Sequence, residues 1–200
     1  MSSKLEYFEG LYDSSSDPYE LRQRWYEQRK RAVLLAALPQ EHYASAYEPG
    51  CGAAALTLQL ADRCDALLAS DFSPRAVDNA RRRTAALRNV TIARHTLPVD
   101  WPVAEAPFDL IVLSEIGYFL DAAAMRKIAA LCLATLAPGG TLVACDWRPD
   151  FGERVLPTAS VHATLSEIGL ARLVLHEEDD FLLQVWSRDA RSVAQHEGIR

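Results

Sequence analysis

Apolar positions in this chain come in short strand-length runs separated by stretches of helical spacing. Runs at 44–48, 66–70, 89–93, 108–113 and 141–147 read as strands, and 55–60, 74–87, 121–136 and 157–168 read as helices between or after them. Two further runs, 171–177 and 181–187, are joined by the acidic turn Glu178-Asp179-Asp180 and form a hairpin. The alternation predicts an α/β fold with a mostly parallel seven-stranded sheet and a C-terminal antiparallel hairpin. Phe108 to Leu113 is almost continuously apolar, as a central parallel strand buried on both faces requires. Helix starts are marked by Asp17-Pro18, Ser73-Pro74 and Asp121, and stops by Pro39, Pro138-Gly139-Gly140 and Gly169. Residues 1–17 are polar apart from Leu5, Tyr7, Phe8, Leu11 and Tyr12, and the polar tail 190–200 is expected to fray.

The helical stretch before the first strand lies outside the strand–helix repeat. It carries Trp25, Tyr26, Glu27, Arg29 and Lys30, followed by apolar Ala32 to Leu38. It either covers a sheet edge or closes over a ligand cleft, and the density of aromatic and charged groups favours a lid. The chain therefore reads as one domain, 1–200, with N-terminal lid helices at 1–43, a core at 44–188 and a tail at 189–200.

The first strand runs into Glu48-Pro49-Gly50-Cys51-Gly52 and then a helical pattern. Glycines let the backbone turn sharply and let a ligand approach it, and a following helix start offers unpaired N–H groups. Two ligand classes fit. Gly50-x-Gly52-x-x-Ala55 satisfies a dinucleotide fingerprint, while Glu48 at the strand end suits a cationic ligand and repels a pyrophosphate. Asp71, 19 positions after Gly52, ends the second strand, where one carboxylate can accept from both hydroxyls of a ribose. Ser73-Pro74 supplies the next helix cap and frees Asp71 for that work.

Composition narrows the partners. The 200 residues are 50% hydrophobic with a net charge of −6, which argues against a nucleic-acid binder held by phosphate contacts and favours a cationic or amine-bearing small molecule. Cys51, Cys64, Cys132 and Cys145 lack paired spacing and read as unpaired thiols in a reducing compartment. Cys51 lies beside a helix start, which could lower its pKa, although a loop-spacer role suits it better. The five histidines have no ligand spacing, so no metal is expected. Met1 to Gly10 is polar and no apolar run reaches membrane-spanning length, so a cytoplasmic protein without a membrane partner is expected. Arg81, Arg82 and Arg83 read as a solvated helix face, and Trp101 as local packing in the loop 95–107. Oligomeric state is not legible.

The ordered set Glu48-Pro49-Gly50-Cys51-Gly52, Asp71, Phe108-Asp109-Leu110-Ile111, Leu136-Ala137-Pro138-Gly139-Gly140 and the final hairpin resembles the Rossmann-like class I methyltransferases that use S-adenosylmethionine (SAM). More narrowly, Tyr7-Phe8, Leu11-Tyr12, Asp17-Pro18, Trp25 to Lys30, Leu97 to Pro102, Leu113 to Tyr118 and Trp147-Arg148 resemble the nodulation protein S (NodS-like) group. That resemblance implies methyl transfer from SAM, leaving S-adenosylhomocysteine (SAH), to an amine on a de-N-acetylated chito-oligosaccharide. It implies cofactor contacts from Glu48, Gly50, Cys51, Gly52, Asp71, Phe72, Thr96, Leu97 and Ser114, with Trp25 and Lys30 from the lid. Two positions depart from the methyltransferase pattern. Ala54 stands at the third loop glycine, a mild change, and Thr96 stands where an acid often meets the adenine.

Glu115, at the end of the fourth strand, is the candidate to accept or orient the acceptor's proton, with Tyr118 just beyond it to hold the acceptor. Trp147 and Arg148 could line the acceptor side. A nicotinamide-dependent oxidoreductase is the alternative enzyme, weakened by Glu48 and by the absence of a separate catalytic domain. A non-catalytic SAM-binding module is the third reading.

Overall fold

The computed structural model describes Gly10 and residues 23–200. The expected helix start at Asp17-Pro18 and the apolar cluster Leu5, Tyr7, Phe8, Leu11 and Tyr12 lie outside the described residues. Helix α1 (Trp25–Ala37) precedes β1 (Tyr43–Pro49), α2 (Thr57–Leu60), β2 (Cys64–Asp71), α3 (Pro74–Thr84), β3 (Val90–Arg94), β4 (Phe108–Ser114), α4 (Ala122–Thr135), β5 (Leu136–Trp147), α5 (Thr158–Ser166), β6 (Ala171–Glu177), β7 (Phe181–Ser187) and α6 (Val193–His196).

The strands form one seven-stranded sheet in the order β3-β2-β1-β4-β5-β7-β6. β1 to β5 are parallel, and β7 runs antiparallel to both β5 and β6. The order reverses between β1 and β4, so the loops leaving those two strands diverge and open a crevice at the C-terminal edge of the sheet. This is the predicted α/β layout with its terminal hairpin.

Side chains of β4 and β5 alternate between two cores. Leu110, Val112, Val143 and Cys145 pack under α1 and α2 with Leu34, Leu38, Leu56 and Leu60. Ile111, Leu113, Leu142 and Ala144 face α4 and α5 through Met125, Ile128, Val161 and Leu165. Both faces of these strands are therefore dry, which explains their unbroken apolar runs. A smaller cluster places Val77 and Ala80 of α3 on Ala69 and Ile92. Ala69 lies two residues from Leu67 on β2, so α3 shares the sheet face of α1.

Several local expectations hold. The Ser73 side chain accepts from Ala76 N and Pro74 opens α3, while Asp121 caps α4 by accepting from Ala124 N. Trp101 is buried, donates to Thr135 Oγ1 at 3.1 Å and meets Tyr47 edge-on. Others need correction. The helix after the glycine loop is one turn, Thr57–Leu60, followed by a 3-10 turn. It was expected from 55 and begins at Thr57, after a turn in which Ala54, at φ +60°, cannot belong to a right-handed helix. That backbone costs an alanine about 1–2 kcal/mol, so the exchange of the third glycine is not mild. β5 begins at Leu136 and passes through Pro138-Gly139-Gly140, where a turn was expected, with a register irregularity opposite Phe108–Leu110. Arg81 and Arg83 are not merely solvated. Arg81 donates to the Ile92 carbonyl at 3.1 Å, and Arg83 reaches the Ala53 carbonyl in the glycine loop. The tail is capped rather than frayed, because Ser192 and Gln195 form a reciprocal capping box at α6.

Leu34 ties α1 to the sheet and is 1% exposed. Leu34→Ala is expected to lower the unfolding free energy by about 3 kcal/mol, read as an earlier urea midpoint at unchanged slope.

Candidate active site

The C-terminal edge of the sheet brings four sequence-distant pieces together: the glycine loop, the end of β2, the turn after β4 and the first two turns of α1. The glycine loop and the β4 turn touch directly. Gly50 has φ +74°, and a Cβ there would come within 2.1 Å of the Ile116 side chain. Gly52 also takes a positive φ, +51°. Only glycine meets both demands at position 50 without strain.

Glu48 ends β1 below this loop and is 4% exposed. Burial raises its pKa to about 8; the Thr57 hydroxyl pulls the other way and the Asp71 charge adds to the rise. Its Oε2 finds no hydrogen-bond partner among the described residues. A buried carboxyl oxygen without a donor marks a place where a ligand donor fits.

Asp71 crosses the loop. Its Oδ2 accepts from Gly52 N at 3.0 Å and its Oδ1 from Ser73 N at 2.9 Å. Burial raises its pKa, opposed by the amides of Ser73, Gly52 and Phe72. A carboxylate has about four acceptor sites, so capacity remains beyond the amides for a ligand hydroxyl. Cys51 is buried in the same loop with its amide on the Ser70 carbonyl at 2.9 Å. Burial pushes its thiol pKa well up, opposite to the lowering that a helix start could have produced. The role of loop spacer stands.

The remaining cofactor candidates scatter around this cradle. Phe72 is partly buried beside Asp71, and Ser114 pairs with Cys145 at the end of β4. In the loop after β3, Thr96 N donates to Asp100 Oδ2 at 2.8 Å while Asp100 N returns a bond to the Thr96 carbonyl at 2.9 Å. Leu97 packs on the α4 side of the core. The Trp25 ring is 74% exposed at the start of α1.

Lys30 and Glu115 form the centre of a charged cluster beside this cradle. Glu115 sits at φ +61°, a left-handed conformation that a non-glycine residue adopts at a cost of about 1–3 kcal/mol. Its backbone N donates to the Cys145 carbonyl at 3.0 Å. Its Oε1 takes the Lys30 ammonium at 2.6 Å, and its Oε2 accepts from Tyr118 OH at 2.5 Å and Trp147 N at 3.1 Å. Lys30 is also 3.2 Å from Glu27 and lies 5.1 Å over the Tyr26 ring. Burial works against the lysine charge, but Glu115 and Glu27 outweigh it and raise the pKa above the ordinary value. Lys30, expected at the cofactor, bonds two carboxylates. Glu115, expected to accept or orient the acceptor's proton, accepts from three donors.

Sequence reasoning missed Arg154, and it named Tyr26 and Arg29 only as members of the lid helix, without their partners. Arg154 is nearly buried, stacks 5.0 Å from the Tyr118 ring and donates to the Trp147 carbonyl at 2.9 Å, so it fixes both the tyrosine and the strand end. Arg29 makes a bidentate bond at 2.8 Å to Glu178 in the hairpin turn, whose pKa falls to about 2 through Arg29 first and His176 second. Tyr26 meets Trp147 edge-on at 5.6 Å. The partners of Arg29 and Tyr26 lie far away in sequence and give no local signal, whereas Arg154 bonds groups four to seven positions away in a loop with no regular spacing to read. Arg148, expected to line the acceptor side, turns to the hairpin, with a 3.0 Å contact to Glu177 and its N on the Asp180 carbonyl. Among the described residues no group of three or more His, Cys, Asp or Glu could hold a metal, and no helix is long and apolar enough to cross a membrane.

Comparison with known proteins decides the family. The family model for nodulation protein S matches residues 11–168. Nodulation protein S of Rhizobium tropici is 36% identical over 174 residues, covering 84% of this chain and 72% of the relative. The chain belongs to the nodulation protein S family. Among solved structures, a Pseudomonas syringae protein described provisionally as a methyltransferase is 46% identical, with a TM-score of 0.74 over 82% of this chain and all of that one. The N-methyltransferase NodS from Bradyrhizobium japonicum WM9, solved in complex with SAH, is 28% identical, with a TM-score of 0.81 over 92% of this chain and 97% of its own. The fold is that of the class I methyltransferases.

Glu48 gives this edge a pH signature. Its folded pKa of about 8 lies above the ordinary 4.5, so the folded state holds a proton that the unfolded state has lost between those values. That contribution to stability is complete below about pH 4.5 and disappears as pH rises through about 8. Glu48→Gln is expected to flatten the fall in melting temperature between about pH 5 and pH 8. An unchanged pH profile would remove Glu48 as its source.

Proposed function

We propose that this chain is a SAM-dependent N-methyltransferase acting on the primary amine of a small molecule, an amino sugar of the chito-oligosaccharide kind. The observation that carries the acceptor class is the charge balance at the strand ends. At the Lys30 contact two carboxylates, Glu27 and Glu115, face one ammonium, a local excess of negative charge suited to an ammonium, while the nearby Arg154 is committed to the Trp147 and Pro149 carbonyls and the Thr158 hydroxyl. Membership of the nodulation protein S family supports the same acceptor.

The residues of the cradle fit the cofactor. The orphaned Glu48 oxygen would receive its amino group, the Gly50–Gly52 backbone would lie along its methionine part, and Asp71 has acceptor capacity left for a ribose hydroxyl. A pyrophosphate in the same place would meet Asp71 and Glu48 instead of cations. Bound SAM supplies an electrophilic methyl group on a sulfonium sulfur, which departs as a neutral thioether.

The protein's part is to hold a neutral amine in line and to keep water out. Tyr118 and the Trp147 amide fix one oxygen of Glu115, so the carboxylate keeps its orientation when the Lys30 contact changes. An amine arriving as an ammonium finds Glu115 Oε1 as its proton acceptor once Lys30 rests on Glu27 alone. Helix α1 acts as the lid, with its C-terminal half anchored through Leu34 and its first turns over the strand ends. The four free, buried thiols support a reducing, cytoplasmic setting.

Calorimetric titration with SAH tests the reading. The wild type is expected to bind one equivalent, and Asp71→Ala to bind about 100-fold more weakly through loss of the charged ribose contacts. No binding by the wild type would overturn the methyltransferase reading.

A further inference from the structure

Tyr26 presents an unexplained feature. The residue is partly exposed, yet its hydroxyl oxygen is sealed from solvent and has no hydrogen-bond partner among the described residues. A buried hydroxyl in that condition is unfavourable, and phenylalanine at the same place would avoid the cost. The surroundings are unsuited to a merely apolar tyrosine. The ring meets Trp147 edge-on at 5.6 Å and Phe181 at 6.4 Å, with the Lys30 ammonium 5.1 Å above its face. Lys30 in turn bonds Glu115, the residue at the topological switch point. The hydroxyl thus lies among the groups that would surround an acceptor amine.

We infer that Tyr26 is an acceptor-binding residue whose hydroxyl oxygen accepts a hydrogen bond from the N–H of the incoming primary amine. This rests on the N-methyltransferase reading and names a residue that completes its acceptor site. Two acceptors then flank the nitrogen, Tyr26 Oη on the helix and Glu115 Oε1 on the sheet. Together they fix two of its N–H directions and leave its lone pair to be aimed. Burial raises the Tyr26 pKa, with Lys30 opposing and Glu115 and Glu27 adding, so the group remains a neutral phenol that orients and does not itself remove a proton.

Tyr26→Phe keeps the ring and its edge contacts and removes only the oxygen. Wild type and variant would be compared in methyl transfer to a chito-oligosaccharide carrying one free amine. The same oligosaccharide would be titrated calorimetrically into each SAH-loaded protein. The expected result for the variant is an acceptor KM and Kd raised about tenfold, with SAH affinity unchanged and a melting temperature equal to or above wild type. An active wild type matched by Tyr26→Phe in both acceptor constants overturns the proposal alone. A variant that loses melting temperature or SAH affinity also overturns it, because the hydroxyl would then serve the fold or the cofactor. A wild type that binds SAH but transfers no methyl group to the amine overturns the acceptor reading and this proposal with it.

Discussion

The bond between Lys30 and Glu115 is the constraint on which the proposed acceptor side of this protein depends. It joins residues 85 positions apart at 2.6 Å and connects the N-terminal helix to the strand where the sheet order reverses. A nearly buried ammonium is tolerable only with compensation, and Glu27 and Glu115 both supply it. The same bond sets the geometry of the carboxylate. With Tyr118 and the Trp147 amide on its other oxygen, Glu115 is held in a left-handed backbone conformation that nothing local would favour. Arg154 then supports the tyrosine and the strand end from beneath.

Costs collect along this edge of the sheet. Ala54 and Glu115 occupy backbone regions that favour glycine, Glu48 is a buried carboxyl with an unpaired oxygen, and Tyr26 hides an unpaired hydroxyl. The opposite situation holds under the sheet, where apolar side chains alternate cleanly between two dry cores. Natural chains tolerate such conflicts mainly where a ligand resolves them. The cofactor's amino group would resolve the one at Glu48, and an acceptor amine the one at Tyr26.

Much of this was legible in the sequence because it is local. Short apolar runs placed the strands, Ser73-Pro74 and Asp121 placed two helix starts, and the spacing from Gly52 to Asp71 placed the loop and the carboxylate that bond each other at 3.0 Å. Misread features were those that tertiary contacts decide. The helical pattern of apolar residues at 55–60 suggested a helix directly after the glycine loop, but the loop's turn, with Ala54 left-handed, comes first and the helix is Thr57–Leu60. A run of three arginines looked solvated until Arg83 was found on the loop carbonyl of Ala53. Glu115 could be named as chemically apt from its place at a strand end. That it would already be paired with Lys30 could not, since nothing within either segment points to the other. The tail is a different case: Ser192 and Gln195 have the spacing of a capping box and were readable.

The most direct test of this account is a double-mutant cycle on Lys30→Met and Glu115→Gln, read by chemical denaturation of the SAH-free protein. If the bond ties the lid helix to the sheet, the two substitutions together cost less than the sum of each alone, with a coupling energy of about 2 kcal/mol. Additive costs, within about 0.5 kcal/mol, would contradict it. The contact would then be an incidental surface pair, and the acceptor side would need another organising interaction.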